Sequence, residues 1–351
     1  MTNRRSLLAG AGLLGCVALA RPWNGGAEAT PAAGDDSTAA MLAAIQTLYE
    51  DGWNAHDPSV VFDIVADDHV YHDPITPGIG TGPQGYADLM SFYLGAFSDL
   101  VFPIHDIVVG DNAVGVRWTA DAVQTGEIFG VPATNMHLAV PAMAIHTFDG
   151  DKISATTVIY DTLGMLSQLG LAPATGSNPS ATPEAAITFP LSIASPVSTL
   201  SPEAAAEAAV AFYEDVWNQK DPDAVAGLVS PEFQYIDPSV PAMPPGPEGY
   251  TAMTGQFLAG IPDLTITVDN VVSSGSQVAM HWIGTGTQTG EFMGIPPTGL
   301  HVTAEAMSFL TFDGDRIATN FSVFDALGVL MQLGAIPPLG GAPGGTPSAD
   351  E

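Results

Sequence analysis

Ile159-Tyr-Asp161-Thr-Leu-Gly-Met-Leu-Ser-Gln-Leu-Gly170 comes back later in the chain as Val323-Phe-Asp325-Ala-Leu-Gly-Val-Leu-Met-Gln-Leu-Gly334. In each copy the aspartate ends a row of alternating residues: Ile153, Ala155, Thr157, Ile159, Asp161 in one, and Ile317, Thr319, Phe321, Val323, Asp325 in the other. Alternation at period two places each row on one face of a β-strand. A carboxylate closing a mostly apolar strand face loses solvent, which raises its pKa and suits it to proton transfer. The same residue is also a favoured N-cap for a following helix, here one with apolar positions Leu163, Leu166 and Leu169. The residues leave both readings open.

Working outward, a constant shift of 164 residues carries one half of the chain onto the other. Tyr49-Glu-Asp-Gly-Trp53-Asn54 meets Tyr213-Glu-Asp-Val-Trp217-Asn218, Trp118 meets Trp282, and Gln124-Thr-Gly-Glu127 meets Gln288-Thr-Gly-Glu291. Self-similarity at a fixed spacing marks a tandem duplication. Two domains are expected at 39–171 and 203–336, joined by a Pro-, Ser-, Ala- and Thr-rich linker at 172–202 and followed by a Gly- and Pro-rich, disordered tail at 337–351. Each domain reads as helix, short helix, strand, helix and then a run of strands. In the first, Leu42, Ile45, Leu48 and Tyr49 recur at helical spacing, a short helix covers about 58–66, and Pro83 opens a third helix as Pro247 does in the second. Strands are expected at roughly 101–109, 112–124, 134–148 and 152–161, with hairpin turns at Gly110-Asp111-Asn112 and Asp149-Gly150. Helices first and hairpins afterwards define an α+β domain, a curved antiparallel sheet wrapped on helices around a cone-shaped pocket.

The 351 residues suffice for two ordinary domains, and an apolar content of 46% is enough for packed cores, so the chain is not globally disordered. A formal net charge of -31 rests on only seven basic residues, three of which, Arg4, Arg5 and Arg21, stand near the N-terminus. Such a surface repels phosphate backbones and anionic headgroups, which excludes nucleic acid and peripheral membrane binding. Residues 1–21, with Asn3-Arg4-Arg5-Ser6 before an apolar run to Ala20, read as a signal peptide of the twin-arginine type, too short to span a membrane. Residues 22–38 are a spacer. Two processing sites compete: Leu13-Leu14-Gly15-Cys16, which resembles a lipoprotein box, and Ala18-Leu19-Ala20, an ordinary cleavage site. The expectation is an exported protein, anchored at the cell surface or in the periplasm by a lipid on Cys16, or secreted. Cys16 is the only cysteine, so no intramolecular disulfide forms.

Trp53-Asn-Ala-His-Asp57, His72-Asp73-Pro74, Gly126-Glu-Ile-Phe-Gly-Val-Pro132 and Asp161-Thr-Leu-Gly164, with their repeats at Trp217, Asp237-Pro238, Gly290 and Asp325, resemble the SnoaL-like polyketide and ester cyclases of the nuclear transport factor 2-like fold. The resemblance covers nearly all of 39–171 and 203–336. It implies two tandem cystatin-like domains, a small hydrophobic carbonyl compound as ligand, and chemistry without metal or cofactor. It also implies that Asp161 and Asp325, at the end of the last strand, act as general acid/base. Because relatives of this fold pair through the open face of the sheet, the two halves are expected to form an intramolecular pseudo-dimer.

The chain departs from the family where many relatives carry a His-Trp pair before the aspartate; Thr156-Thr157 and Asn320-Phe321 stand there. His146 on the preceding strand can substitute in the first half, but its counterpart is Leu310, and His72 has Ile236 opposite it. Asp161, Asp325, His72 and His146 are the catalytic candidates. Trp53, Trp118, Trp217, Trp282, Asp73, Asp237 and Glu305 are candidates for substrate contact, the tryptophans first of all as pocket wall. His69, His72 and Asp73 have a spacing that could serve a metal, yet Phe233 and Ile236 replace the histidines in the repeat, so no metal site is expected. The resulting expectation is an acid/base cyclase or isomerase acting on a polyketide-like ester. The alternative is a non-catalytic binding protein for a small hydrophobic ligand, which export favours.

Overall fold

The computed structural model describes residues 35–76, 78–172, 199–240 and 243–337. The expected leader with Cys16, the body of the linker and the tail lie outside these residues.

In the first half α1 (Asp35–Gln46) widens into a π-helical stretch, Thr47–Asn54, and a short turn leads to α2 (Val61–Ile64). β1 (Val65–His72), α3 (Gly82–Ala96), β2 (Phe97–Val101), β3 (Ile104–Val109), β4 (Ala113–Gln124), β5 (His137–Asp149), β6 (Lys152–Tyr160) and α4 (Thr162–Gln168) follow. The second half repeats the order as α5 (Pro202–Tyr213), α6 (Val225–Leu228), β7 (Val229–Ile236), α7 (Pro247–Gly260), β8 (Thr265–Ser273), β9 (Gln277–Thr287), β10 (His301–Asp313), β11 (Arg316–Phe324) and α8 (Ala326–Gln332). β5 and β10, β6 and β11, and α4 and α8 coincide under the 164-residue shift at both ends.

The sheets run β1-β6-β5-β4-β2, with β3 also on β4, and β7-β11-β10-β9-β8. Sequence periodicity gave one strand over 101–109; the chain breaks it into β2 and β3 at Phe102-Pro103, whereas β8, with Thr267 in place of the proline, is continuous. A proline has no N–H to give the ladder. One pair in each sheet is parallel, β1 with β6 and β7 with β11. The intervening helices carry the chain back so that the first strand lies beside the last.

A bulge decides which residues of β6 look inward. The register with β5 slips between Thr147↔Ala155 and Phe148↔Ile153, making Ser154 the extra residue. Such a slip reverses the parity of everything beyond it. Ile153 therefore belongs to the core of its own half, while Ile159 belongs to a separate cluster with Val108, Met143 and Ile145 of the first half and Val272, Ala279, Met307, Phe309 and Val323 of the second. The same slip in β11, between Thr311↔Thr319 and Phe312↔Ile317, sends Val323 to that cluster.

The two sheets thus meet face to face. Gly115 faces its own counterpart, Ala279: a Cβ on Gly115 would stand 2.4 Å from that of Ala279, so the close approach of the sheets requires glycine here. The Arg117 guanidinium, paired with Asp106 at 2.5 Å, lies 4.5 Å over the Phe321 ring of the other half. α4 packs on α8. Among the described residues no helix is long and apolar enough to cross a membrane.

Candidate functional site

Each half holds one aromatic cavity between its helices and the concave face of its sheet. The space in and at the mouth of the first, open solvent included, is about 740 Å³, and that of the second about 660 Å³. The π-helical stretch brings Tyr49 and Trp53 to the first cavity together. Beyond the bulge β6 contributes Val158 and Tyr160, and β5 contributes Leu138, Val140 and His146.

At one place four polar side chains join, of which Tyr49 and His146 line the cavity. Tyr49 Oη lies 3.1 Å from His146 Nε2, and the Thr156 hydroxyl lies 3.1 Å from His146 Nδ1 and 3.0 Å from His69 Nε2. Sheet order explains the meeting, because His146 and Thr156 are direct partners on β5 and β6, and β1, which carries His69, is the parallel neighbour of β6. Thr156 has a single proton, so at least one of the two imidazoles must donate to it. Burial lowers His146 to about 3 and His69 to about 4, which leaves both neutral at neutral pH. His69 stacks on Tyr86, ring planes 2° apart. Burial first, then the neighbouring Tyr86, push the Tyr49 hydroxyl well above the usual phenol range, while the Trp118 N–H pulls the other way.

The second cavity keeps the shape and changes this cluster. Tyr213 Oη meets Ser308 Oγ at 2.5 Å, Trp282 Nε1 donates to the same oxygen at 3.0 Å, and Ser322 lies 3.0 Å from it. Phe233, Leu310 and Asn320 replace His69, His146 and Thr156. What the second cavity has instead is Asp237 in its wall, accepting from Tyr235 at 3.1 Å and from Ser239, with burial lifting the carboxyl to about 6.

The expected site residues are therefore dispersed. Trp53, Trp118 and His146 line the first cavity, and Trp217, Trp282 and Asp237 the second. Asp73 stands behind the wall of the first, bound by the N–H groups of Ile75 and Thr76 and by the Thr76 hydroxyl. His72 and Glu305 line neither cavity and bond each other at 2.6 Å across the two halves. Asp161 and Asp325 do not line the cavity of their own half, as their place in the alternating row led one to expect. The bulge turns that row away, and each carboxylate, buried, accepts from the third residue on, Gly164 or Gly328, at 2.8 Å and caps α4 or α8. Burial raises both to about 6. Asp161→Ala is expected to cost about 1 kcal/mol of stability and Asp161→Asn much less, since asparagine also caps; equal losses on denaturant titration would remove the cap from this account.

Residues that spacing did not single out make up most of the first site: Tyr49, Tyr71, Tyr86, Tyr93, Thr156 and Tyr160. A signal existed for three of them, since Tyr49, Tyr71 and Tyr86 recur as Tyr213, Tyr235 and Tyr250. Tyr93 and Tyr160 left none, because Phe257 and Phe324 stand opposite them.

His72 belongs to a charged chain: Glu305 Oε2 also lies 3.4 Å from His281 Nε2, and His281 Nδ1 lies 2.6 Å from Asp269. Against its burial, Asp269 and Glu305 raise His281 to about 9, and the two histidines outweigh burial to hold Glu305 near 2. A raised histidine stabilises fully below its unfolded value of 6.5 and loses this as pH rises through 9. A lowered glutamate stabilises fully above 4.5 and loses this as pH falls through 2. The contribution of this charged chain to the unfolding free energy, read as wild type minus Glu305→Gln, should therefore be largest between pH 4.5 and 6.5, on the order of 2 kcal/mol. A Glu305→Gln profile parallel to that of the wild type would refute this.

Two repeats of one α+β unit, each a half-barrel sheet curled on helices around an aromatic cavity, define tandem nuclear transport factor 2-like domains. The chain belongs to the SnoaL-like polyketide cyclase family, whose model matches residues 43–169 and again 207–333. Solved structures that it resembles include TsrD from Streptomyces laurentii (25% identity, 39% of this chain and 99% of that one, TM-score 0.36). Two others are a SnoaL-like protein from Jannaschia sp. CCS1 (26%, 41% and 98%, 0.36) and a SnoaL-like polyketide cyclase from Agrobacterium tumefaciens (26%, 37% and 97%, 0.32). No curated protein matches the chain.

Proposed function

We propose that the protein is an exported acid/base enzyme of the cyclase or isomerase type, acting on a small hydrophobic carbonyl compound in the cavity of its first half. The observation that carries this is the hydrogen-bonded chain Tyr49, His146, Thr156, His69, of which Tyr49 and His146 line the aromatic cavity and Thr156 and His69 do not. Tyr49 donates a hydrogen bond to the carbonyl oxygen on which charge develops and keeps its own proton, and neutral His146 holds the phenol in place through the hydrogen bond they share. The family supplies the reaction class. The halves act as an intramolecular pseudo-dimer, a reading supported by the shared apolar cluster, the His72–Glu305 bond and the Arg117 stack on Phe321.

Mass spectrometry of the small molecule that co-purifies with the protein tests the ligand class. A neutral hydrophobic carbonyl compound is expected, and a charged or sugar-like molecule would overturn the reading. A second reading puts the chemistry in the second cavity, because Asp237 lines it with a carboxyl poised near 6. Loss of turnover in Asp237→Asn, with His146→Leu active, would select it. Loss of turnover in Asp161→Asn would instead return catalysis to the cap aspartates.

The N-terminal reading is carried forward with it: export by the twin-arginine leader and a lipid on Cys16. Labelling with a fatty-acid analogue in the native host should mark the wild type and not Cys16→Ala; an intact N-terminus recovered from the cytoplasm would defeat export altogether.

A further inference from the structure

Three positions of the duplicated chain change together. Thr76, Tyr93 and Tyr160 in the first half face Val240, Phe257 and Phe324 in the second, three hydroxyls against three apolar groups of similar shape. In the first half the hydroxyls lie in a row between the cavity and Asp73. Tyr160 and Tyr93 line the cavity with their oxygens 3.2 Å apart, Tyr93 lies beside the Thr76 hydroxyl, and Thr76 donates to Asp73 Oδ2. Asp73 Oδ1 is occupied by two backbone N–H groups, so Oδ2 is the oxygen left for the chain.

We propose that Asp73 acts on the first cavity through Thr76, Tyr93 and Tyr160, a relay of hydroxyls that takes up the proton of an acidic ligand hydroxyl, an enol or a phenol. With Asp73 ionised, the protons point toward it: Thr76 donates to Asp73, Tyr93 to Thr76 and Tyr160 to Tyr93, which leaves the Tyr160 oxygen as an acceptor facing the ligand. In the transfer the ligand O–H bond breaks and its proton goes to Tyr160. The Tyr160 proton passes to Tyr93, that of Tyr93 to Thr76, and that of Thr76 to Asp73 Oδ2. The ligand ends as an anion, Asp73 ends neutral, every hydroxyl is restored, and nothing is oxidised or reduced. Burial raises the Asp73 carboxyl, which brings it closer to an enol or an acidic phenol. In the second half the carboxylate lines the cavity itself, and the three hydroxyls have gone as a set.

This inference rests on the reading that the first cavity binds a hydrophobic carbonyl or enol compound, and the test separates the two. The probe is 4-nitrophenol, whose anion is coloured, titrated with pH while bound to the full chain. In the wild type its ionisation should be coupled to that of Asp73 and appear in two steps; in Asp73→Asn it should appear in one. Thr76→Val and Tyr160→Phe, each installing the residue of the other half, should raise the apparent pKa of the bound dye by about one unit, a tenfold loss of anion. Affinity for the neutral dye should change by less than about threefold. Thr76 does not line the cavity, so a contact role alone cannot produce its effect. The second cavity lacks all three hydroxyls and adds the same background to every protein. Binding with one unchanged titration in wild type, Thr76→Val and Tyr160→Phe overturns the relay alone. No binding of 4-nitrophenol removes both the relay and the ligand class.

Discussion

If the first cavity is the active site, His146→Leu should lower kcat/KM for a polyketide-like ester at least a hundredfold while leaving its affinity within about threefold. Leucine already occupies the equivalent place, Leu310, buried in the same fold, so the variant tests chemistry and not folding. It removes the partner of Tyr49 Oη and one of the two imidazoles on Thr156. A positioned hydrogen-bond donor to the developing oxyanion contributes roughly 10²- to 10³-fold to such reactions. Tyr49→Phe should match it, and His69→Phe should cost less, since His69 touches Thr156 and not the phenol. Because burial places His146 near 3, the wild-type rate should show no histidine limb between pH 5 and 8. Full turnover in His146→Leu, or a loss confined to affinity, would leave the cluster with no catalytic part.

The largest effect on stability is expected from the repeated Gln-Thr-Gly-Glu motif. Gln124, fully buried, donates to the carbonyls of Gly126, Val131 and Pro132 and accepts from the N–H and hydroxyl of Thr134. Gln288 does the same for Gly290, Ile295, Pro296 and Thr298. One amide thus holds each loop in shape, including Phe129 and Met293 at positive φ. Gln124→Leu or Gln288→Leu keeps the volume and leaves four polar groups without a partner there, since the Val131 and Ile295 carbonyls keep the N–H groups of Ile128 and Phe292. An unpaired group costs about 1–3 kcal/mol when buried, and because the residues that bear these groups are half-buried or exposed the sum should be about 2–4 kcal/mol. Denaturant unfolding measures it, and a loss below about 1 kcal/mol would show that the loop finds other partners.

The same motif shows how far the sequence reaches. Its recurrence at a fixed shift was plain, and so were the duplication, the order of helices and hairpins, and the family. These follow from local pattern: turn residues, period, and self-similarity along one chain. The purpose of Gln124 was not legible, because its partners lie up to ten residues on, in a loop with no periodicity.

The face of β6 that looks into the cavity was decided only in three dimensions. Ile153, Ile159 and Val158 are all apolar, since both faces of this strand are buried, one under the helices and one under the other half. Alternation cannot then choose between them, and the bulge at Ser154 reverses the choice halfway along. That single extra residue sends Val158 and Tyr160 to the cavity wall, Thr156 to the histidines His146 and His69, and Asp161 to a helix start. The parallel pairing of β1 with β6 likewise sets His69 beside Thr156, and the meeting of the sheets sets His72 beside Glu305, 233 residues away. Sequence determined what each half is made of; packing of strands remote in the chain determined which side chains share a cavity, because such contacts leave no local pattern to read.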